Sequence, residues 1–180
     1  MNLTKETALV YLREHPILPD LDCSEDTERI LREWTDVCEY FIEHPCVEAI
    51  PLFISELSGG TSFEGVQRIT DIIVQLPVEQ IEPLFIEALN SPSQNIRMWV
   101  ADFAGDLESS NIELYETLLS RVEDFDENDD VRGLSAASIH LLSRNGLIDW
   151  RPYVDRINAI LAKEKDELII YSLTELINGE

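Results

Sequence analysis

Asn95-Ile96-Arg97-Met98-Trp99-Val100-Ala101-Asp102-Phe103-Ala104-Gly105-Asp106-Leu107 carries the clearest structural pattern in the chain. Ile96, Trp99, Val100, Phe103, Ala104 and Leu107 recur with a helical period and form one apolar stripe, so the segment is expected to be an amphipathic helix with one buried side. Ser91-Pro92-Ser93 immediately before it supplies a turn, a helix cap and a break from the helix that precedes. Ala101, Ala104 and Gly105 are small, which lets a neighbouring helix come close. A second copy runs from Val131 to Leu142. There Val131, Leu134, Ser135 and Leu142 repeat Ile96, Trp99, Val100 and Leu107 at an offset of 35 residues, while Arg132 answers Arg97 and Ala136 answers Ala101.

Each of these helices has a partner upstream. Glu82-Pro-Leu-Phe-Ile-Glu-Ala-Leu89 precedes the first and Leu114-Tyr-Glu-Thr-Leu-Leu-Ser-Arg-Val122 the second, and Ile50-Pro-Leu-Phe-Ile-Ser-Glu-Leu57 shares Pro-Leu-Phe-Ile with the copy 32 residues later. Two helices per unit at a period of roughly 30 to 36 residues describe an α-solenoid, because a single pair cannot bury its apolar face alone. Asn95-Ile96-Arg97 with Val100-Ala101, and Asp130-Val131-Arg132 with Ser135-Ala136, resemble the aliphatic-Arg-x-x-small-Ala signature that opens the second helix of a HEAT repeat. The resemblance covers residues 81–145 well, 47–80 and 150–178 loosely, and 1–46 not at all. It implies an all-α fold: a short right-handed α-α superhelix of about four helical pairs over residues 47–180. It also implies structural roles for Arg97 and Arg132, knitting neighbouring repeats together. An irregular two-helix cap, residues 1–46, precedes the pairs, and residues 1–180 are expected to be a single domain.

In the cap, Leu3 to Glu14 and Glu25 to Glu43 read as helices, with Thr4 and Ser24 as caps. Both stop at Tyr-x-x-Glu-His-Pro, once from Tyr11 and once from Tyr40, since proline disfavours the helical state in the residue before it. Farther along, helices are expected over Val47 to Leu57, Phe63 to Leu76, Ile112 to Glu123, Trp150 to Ala162 and Asp166 to Asn178, with loops at Ser58-Gly59-Gly60-Thr61 and Asn145-Gly146. The last helix is apolar on most sides, which suits either core packing or self-association.

The charge is the outlying property. Thirty-six acidic against thirteen basic residues in 180 leave a net charge of −23. Such a field repels nucleic-acid phosphates and anionic membranes and speeds encounter with basic proteins. No apolar run reaches the ~18 residues of a membrane span. Met1-Asn-Leu-Thr-Lys-Glu shows no secretory pattern, and three cysteines, Cys23, Cys38 and Cys46, fit a reducing cytosol, so a cytoplasmic location is expected.

Catalytic and cofactor chemistry find little support. Asp124-x-Asp126-x-Asn128-x-Asp130 has the spacing of a calcium loop, yet Asp129 stands where that loop needs glycine and Ser135 where it needs a bidentate glutamate. Cys23, Cys38, His44 and Cys46 lack the Cys-x-x-Cys anchor of a zinc site. His140 has no acid or nucleophile at orienting spacing, and there is no phosphate-binding glycine loop. Trp34 and Trp99 are expected in the core, and Trp150, which opens a helix, is expected to pack against the previous repeat, with a half-exposed partner contact as the alternative.

What the HEAT resemblance implies is a non-enzymatic protein-binding module, and no metal or cofactor is expected. Its curved binding face would be lined by the second helices of each pair, here offering Asp71, Asp102 and Asp106, with Glu123, Asp124, Asp126, Glu127, Asp129 and Asp130 at the rim. The partner would be a basic protein, most concretely a toxin domain masked by a bacterial immunity or antitoxin-like protein. A HEAT-like adaptor, a chromophore-lyase-type helper, and a structural protein that homodimerises through its C-terminal helix are the alternatives.

Overall fold

Caps and prolines set the helix boundaries. The structure, a computed structural model, describes residues 3–17, 25–59 and 63–179. Among them run ten α-helices and no strand: α1 Lys5–Glu14, α2 Glu25–Glu43, α3 Ile50–Glu56, α4 Phe63–Ile73, α5 Val78–Leu89, α6 Gln94–Asp106, α7 Ile112–Glu123, α8 Asp129–Arg144, α9 Val154–Leu161 and α10 Glu167–Asn178. No helix among the described residues is long and apolar enough to cross a membrane. The expected cap Ser24, the connector from residue 18 onward, the Gly60-Thr61 half of the glycine loop and Cys23 lie outside the described residues.

Thr4 opens α1 with a capping box: its hydroxyl accepts from Thr7 N–H at 3.3 Å, and Thr7 Oγ1 accepts from Thr4 N–H at 2.9 Å. Asn111, Asn128 and Asp166 cap α7, α8 and α10 in the same sense, each side-chain oxygen accepting two backbone N–H groups. The repeated Tyr-x-x-Glu-His-Pro is a helix stop both times. His15 stacks on Tyr11 with ring centroids 4.3 Å apart and His44 on Tyr40 at 4.6 Å, each with Nδ1 at 3.1 Å from the tyrosine carbonyl. The imidazole thereby shields and contacts a carbonyl at the helix end, and the proline that follows prevents continuation.

Several boundaries differ from expectation, among them those of α4, α5 and α6. At Ser93 the backbone occupies the cap position of α6, but its hydroxyl makes no capping bond; Ser91 Oγ instead accepts from Ser93 N–H at 3.2 Å. α4 ends at Ile73, three residues early, because the chain tightens into i→i−3 bonds at Gln75 and Leu76 ahead of Pro77. α5 begins at Val78, so Pro83 falls inside it. The missing Pro83 N–H leaves the carbonyl of exposed Glu79 to solvent, the setting in which an interior proline is least costly.

The chain divides into two compact units, Met1–Leu84 and Phe85–Glu180, with the division inside α5. In the first, α2 turns Trp34, Val37, Cys38 and Phe41 inward, and Phe41 meets Phe53 of α3 edge-on at 5.8 Å. Tyr11 Oη donates to Ile30 O at 2.7 Å and ties α1 to α2. The residues expected as a cap thus share this unit with α3 and α4.

In the second unit α8 is the central element, packed against α6, α7 and α10. Ser138 Oγ donates to Ala101 O at 2.6 Å across the α6–α8 contact, and a Cβ on Gly105 would fall 2.8 Å from Ser138 Oγ and 3.2 Å from its Cα. The buried side of α6 is therefore its small-residue side: Val100, Ala101, Ala104 and Gly105, with Phe103. This rotates the stripe read from the sequence. Trp99 sits half-buried at its edge instead of in the core, because close approach of α8 to Ala101 and Gly105 leaves no room there for an indole.

Candidate protein-docking groove

Two arginine–carboxylate ties hold α6, α8 and α10 of the second unit in register. Arg97 Nε and Nη2 donate to the two oxygens of Glu127 at 2.7 and 2.6 Å, and its Nη1 donates to Ser91 O at 2.7 Å. Arg132 of α8 makes a similar tie in the same unit: its guanidinium donates to Val122 O and to Glu164 Oε2. The two carboxylates also accept the backbone N–H groups that lead into the next helix, Asn128 for Glu127, and Lys165 and Asp166 for Glu164. Arg97 above all holds Glu127 below the usual carboxylate range. Burial works against ionised Glu164, yet the N–H groups and Arg132 outweigh it and its carboxyl is lowered too. A second pair of ties joins the first helices of successive pairs, with Arg121 donating to Asn90 Oδ1 at 2.8 Å and Arg156 binding both oxygens of Glu123 at 2.7 Å. Arg97 and Arg132 thus direct their guanidinium groups to partners within the unit.

This arrangement leaves a pocket of about 280 Å³ where the first turns of α8 and α10 meet the middle of α6. Met98, Trp99 and Asp102 line it from α6, Asp129, Asp130 and Leu134 from α8, Asp166 and Leu168 from α10. Trp99 stacks on Phe103 with centroids 6.4 Å apart, which holds the indole at the wall. Leu168 is half exposed and presses toward Gly133, whose missing side chain gives it space. The walls are thus apolar and the rim is carboxylate. Asp102 keeps solvent contact, but its partial enclosure beside the apolar walls, and then the neighbouring Asp106, push its carboxyl upward. Among the described residues no cation pairs with Asp102, Asp106 or Asp130; Asp129 has only the buried Arg132, at 3.7 Å.

The expected partner-binding acids separate into four groups. Asp102, Asp106, Asp129 and Asp130 are exposed at or beside the pocket. Asp124 and Asp126 are exposed in the loop after α7, where Asp124 Oδ1 accepts from Asp126 N–H at 3.0 Å. Glu127 and Glu123 belong to the ties just described, and the side chain of Glu127 is only 5% exposed, so its charge serves the interior. Asp71 is exposed on α4 in the other unit. Asn128, read as a calcium-loop position, uses its side-chain oxygen to cap α8.

Sequence reasoning missed Met98, Trp99, Leu134, Asp166 and Leu168 as site residues. One signal was available: Trp99, Asp102 and Asp106 stand three and four apart, on one helix face. Other candidates resolve into structure. His140 Nδ1 lies 3.1 Å from Ser172 O across the α8–α10 contact. Cys38 is fully buried, with its thiol pushed up by burial, and Cys46 Sγ donates to Glu48 Oε2 at 3.0 Å, beside Lys5. No family model matches the chain, and neither the curated proteins nor the solved structures contain a match to it.

Proposed function

We propose that this protein is a non-enzymatic binding module that captures a basic partner protein on the α6–α8–α10 face of its second unit. The observation that carries this reading is an apolar pocket rimmed by carboxylates of which, among the described residues, only Asp129 meets a cation, on a chain of net charge −23. Uncompensated carboxylates beside apolar walls complement a lysine- or arginine-rich surface, and the long-range field speeds encounter. The most concrete form is a cytoplasmic, immunity- or antitoxin-like inhibitor that covers the phosphate-binding surface of a cationic toxin. The α6–α8–α10 ties, recurring at the spacing of the repeat, support a HEAT-like right-handed superhelix as its frame.

Affinity capture from lysate at low and at moderate ionic strength tests this reading. Enrichment of a basic protein, lost as salt rises and weakened by Asp102→Asn with Asp130→Asn, is expected. Recovery of no basic protein at low ionic strength would set it aside.

Exposed Leu168 and Tyr171 on α10 favour a second reading, homodimerisation through that helix. Sedimentation at several concentrations separates the two, since the dimer predicts a mass that doubles with concentration and reverts in Tyr171→Glu.

A further inference from the structure

The second unit holds arginine in one recurring geometry. Arg132 lies with its guanidinium carbon 4.6 Å from the centroid of the Phe125 ring while binding Glu164, and Arg156 lies 5.9 Å from that of Tyr153 while binding Glu116 and Glu123. In both, a flat cation rests near a ring and directs its N–H groups to carboxylates, an arrangement that suits arginine's planar fork and weak hydration and that lysine's compact ammonium does not reproduce. Trp99 and Asp102 set a third aromatic ring and carboxylate side by side on α6, and no arginine of the described chain fills the place.

We propose that the pocket between α6, α8 and α10 is an anchor site for one arginine side chain of the basic partner. The guanidinium stacks on the Trp99 indole and donates to Asp102, and its aliphatic stem lies against Leu134 and Leu168. Asp129, Asp130 and Asp166 at the rim favour a cation over a neutral side chain of the same shape. The proposal rests on the basic-partner reading and names the chemistry by which that partner is recognised.

Titration of the full chain with acetyl-Gly-Arg-Gly-Arg-Gly-amide and with its lysine counterpart, at physiological ionic strength, tests it. The readout is the Trp99 indole N–H resonance, assigned by Trp99→Phe. The arginine peptide is expected to bind about tenfold more tightly than the lysine peptide and to shift that resonance. Asp102→Asn changes an exposed carboxylate and leaves the fold intact; it should remove most of the preference, whereas Asp71→Asn, the same charge change in the other unit, should not. Trp99→Leu keeps an apolar wall and should abolish the preference as well. If both peptides bind equally and Asp102→Asn acts no differently from Asp71→Asn, the anchor is overturned while an acidic docking face survives. If neither peptide binds even at low ionic strength, the anchor and the basic-partner reading fall together.

Discussion

The indole N–H of Trp34 donates to Oε2 of Glu56 at 2.6 Å in the interior of the first unit, joining α2 to the end of α3. Burial raises the Glu56 carboxyl to about 8, and the indole bond offsets only part of that rise. Tyr11 and Cys38 are titratable neighbours that feel the same charge.

A carboxyl near 4.5 when unfolded and near 8 when folded makes the native state bind more protons across that interval. Stability should therefore fall as pH rises from about 5 to 8 and then level off, by on the order of a few kcal/mol. Glu127 and Glu164, held low, act with the opposite sign and weaken the fold only at more acidic pH. Glu56→Gln keeps an acceptor for Trp34 and removes the titration, so its denaturation midpoint should be nearly flat from pH 5 to 8. A wild-type profile equally flat in that window would refute the assignment.

The buried Arg132–Glu164 pair, with side chains 4% and 5% exposed, predicts an asymmetry. Removing one member, by Arg132→Met or Glu164→Gln, leaves a buried ionic or polar group unmatched and should cost roughly 3–5 kcal/mol in urea unfolding. Removing both should cost less than the sum of the single changes, with a coupling energy above about 1 kcal/mol. Arg29→Ala, at an exposed pair, should change stability by less than about 1 kcal/mol and serves as the comparison.

Two helical glycines should respond oppositely. Gly105→Ala would drive a methyl to 3.2 Å from the Ser138 backbone and disturb its bond to Ala101, destabilising by about 1–3 kcal/mol. At Gly133 a methyl meets only the flexible tip of exposed Leu168, at 3.2 Å, so Gly133→Ala should be neutral or gain up to about 1 kcal/mol from helix propensity. Equal urea midpoints for the two variants would contradict the packing described.

Self-repulsion at a net charge of −23 opposes the compact state. Raising monovalent salt from about 0.01 to 0.15 M shortens the screening length from about 30 to about 8 Å and should raise Tm by several degrees. A Tm that falls over the same range would mean that the exposed ion pairs outweigh the repulsion.

The periodicity and end signals of the sequence made the helices legible, because capping and proline effects act within four residues. Thr4, the two Tyr-x-x-Glu-His-Pro stops and Asn145-Gly146 each act locally, and the structure shows them doing so. Arg97 and Arg132 do tie neighbouring segments, through Glu127 and Glu164, carboxylates whose part in those ties no local signal marked. The candidate site was only half legible. Asp102 and Asp106 were named from their place on a second helix, Asp129 and Asp130 from a run of acids, and neither signal marks which carboxylates are spent on internal ties.

Local signals, then, were enough to tell that this chain is helical, to within a few residues where most helices lie, and that its charge is strongly anionic; these follow from backbone geometry, short-range bonds and a sum of charges. Tertiary packing decided the rest. It turned Trp99 out to a pocket wall because α8 lies against the small side of α6, drew Glu127 inward onto Arg97, and left Leu168 beside Asp102. Contacts of that kind depend on how helices rotate and approach one another, and residues 30 or more positions apart set that rotation only once the chain has folded.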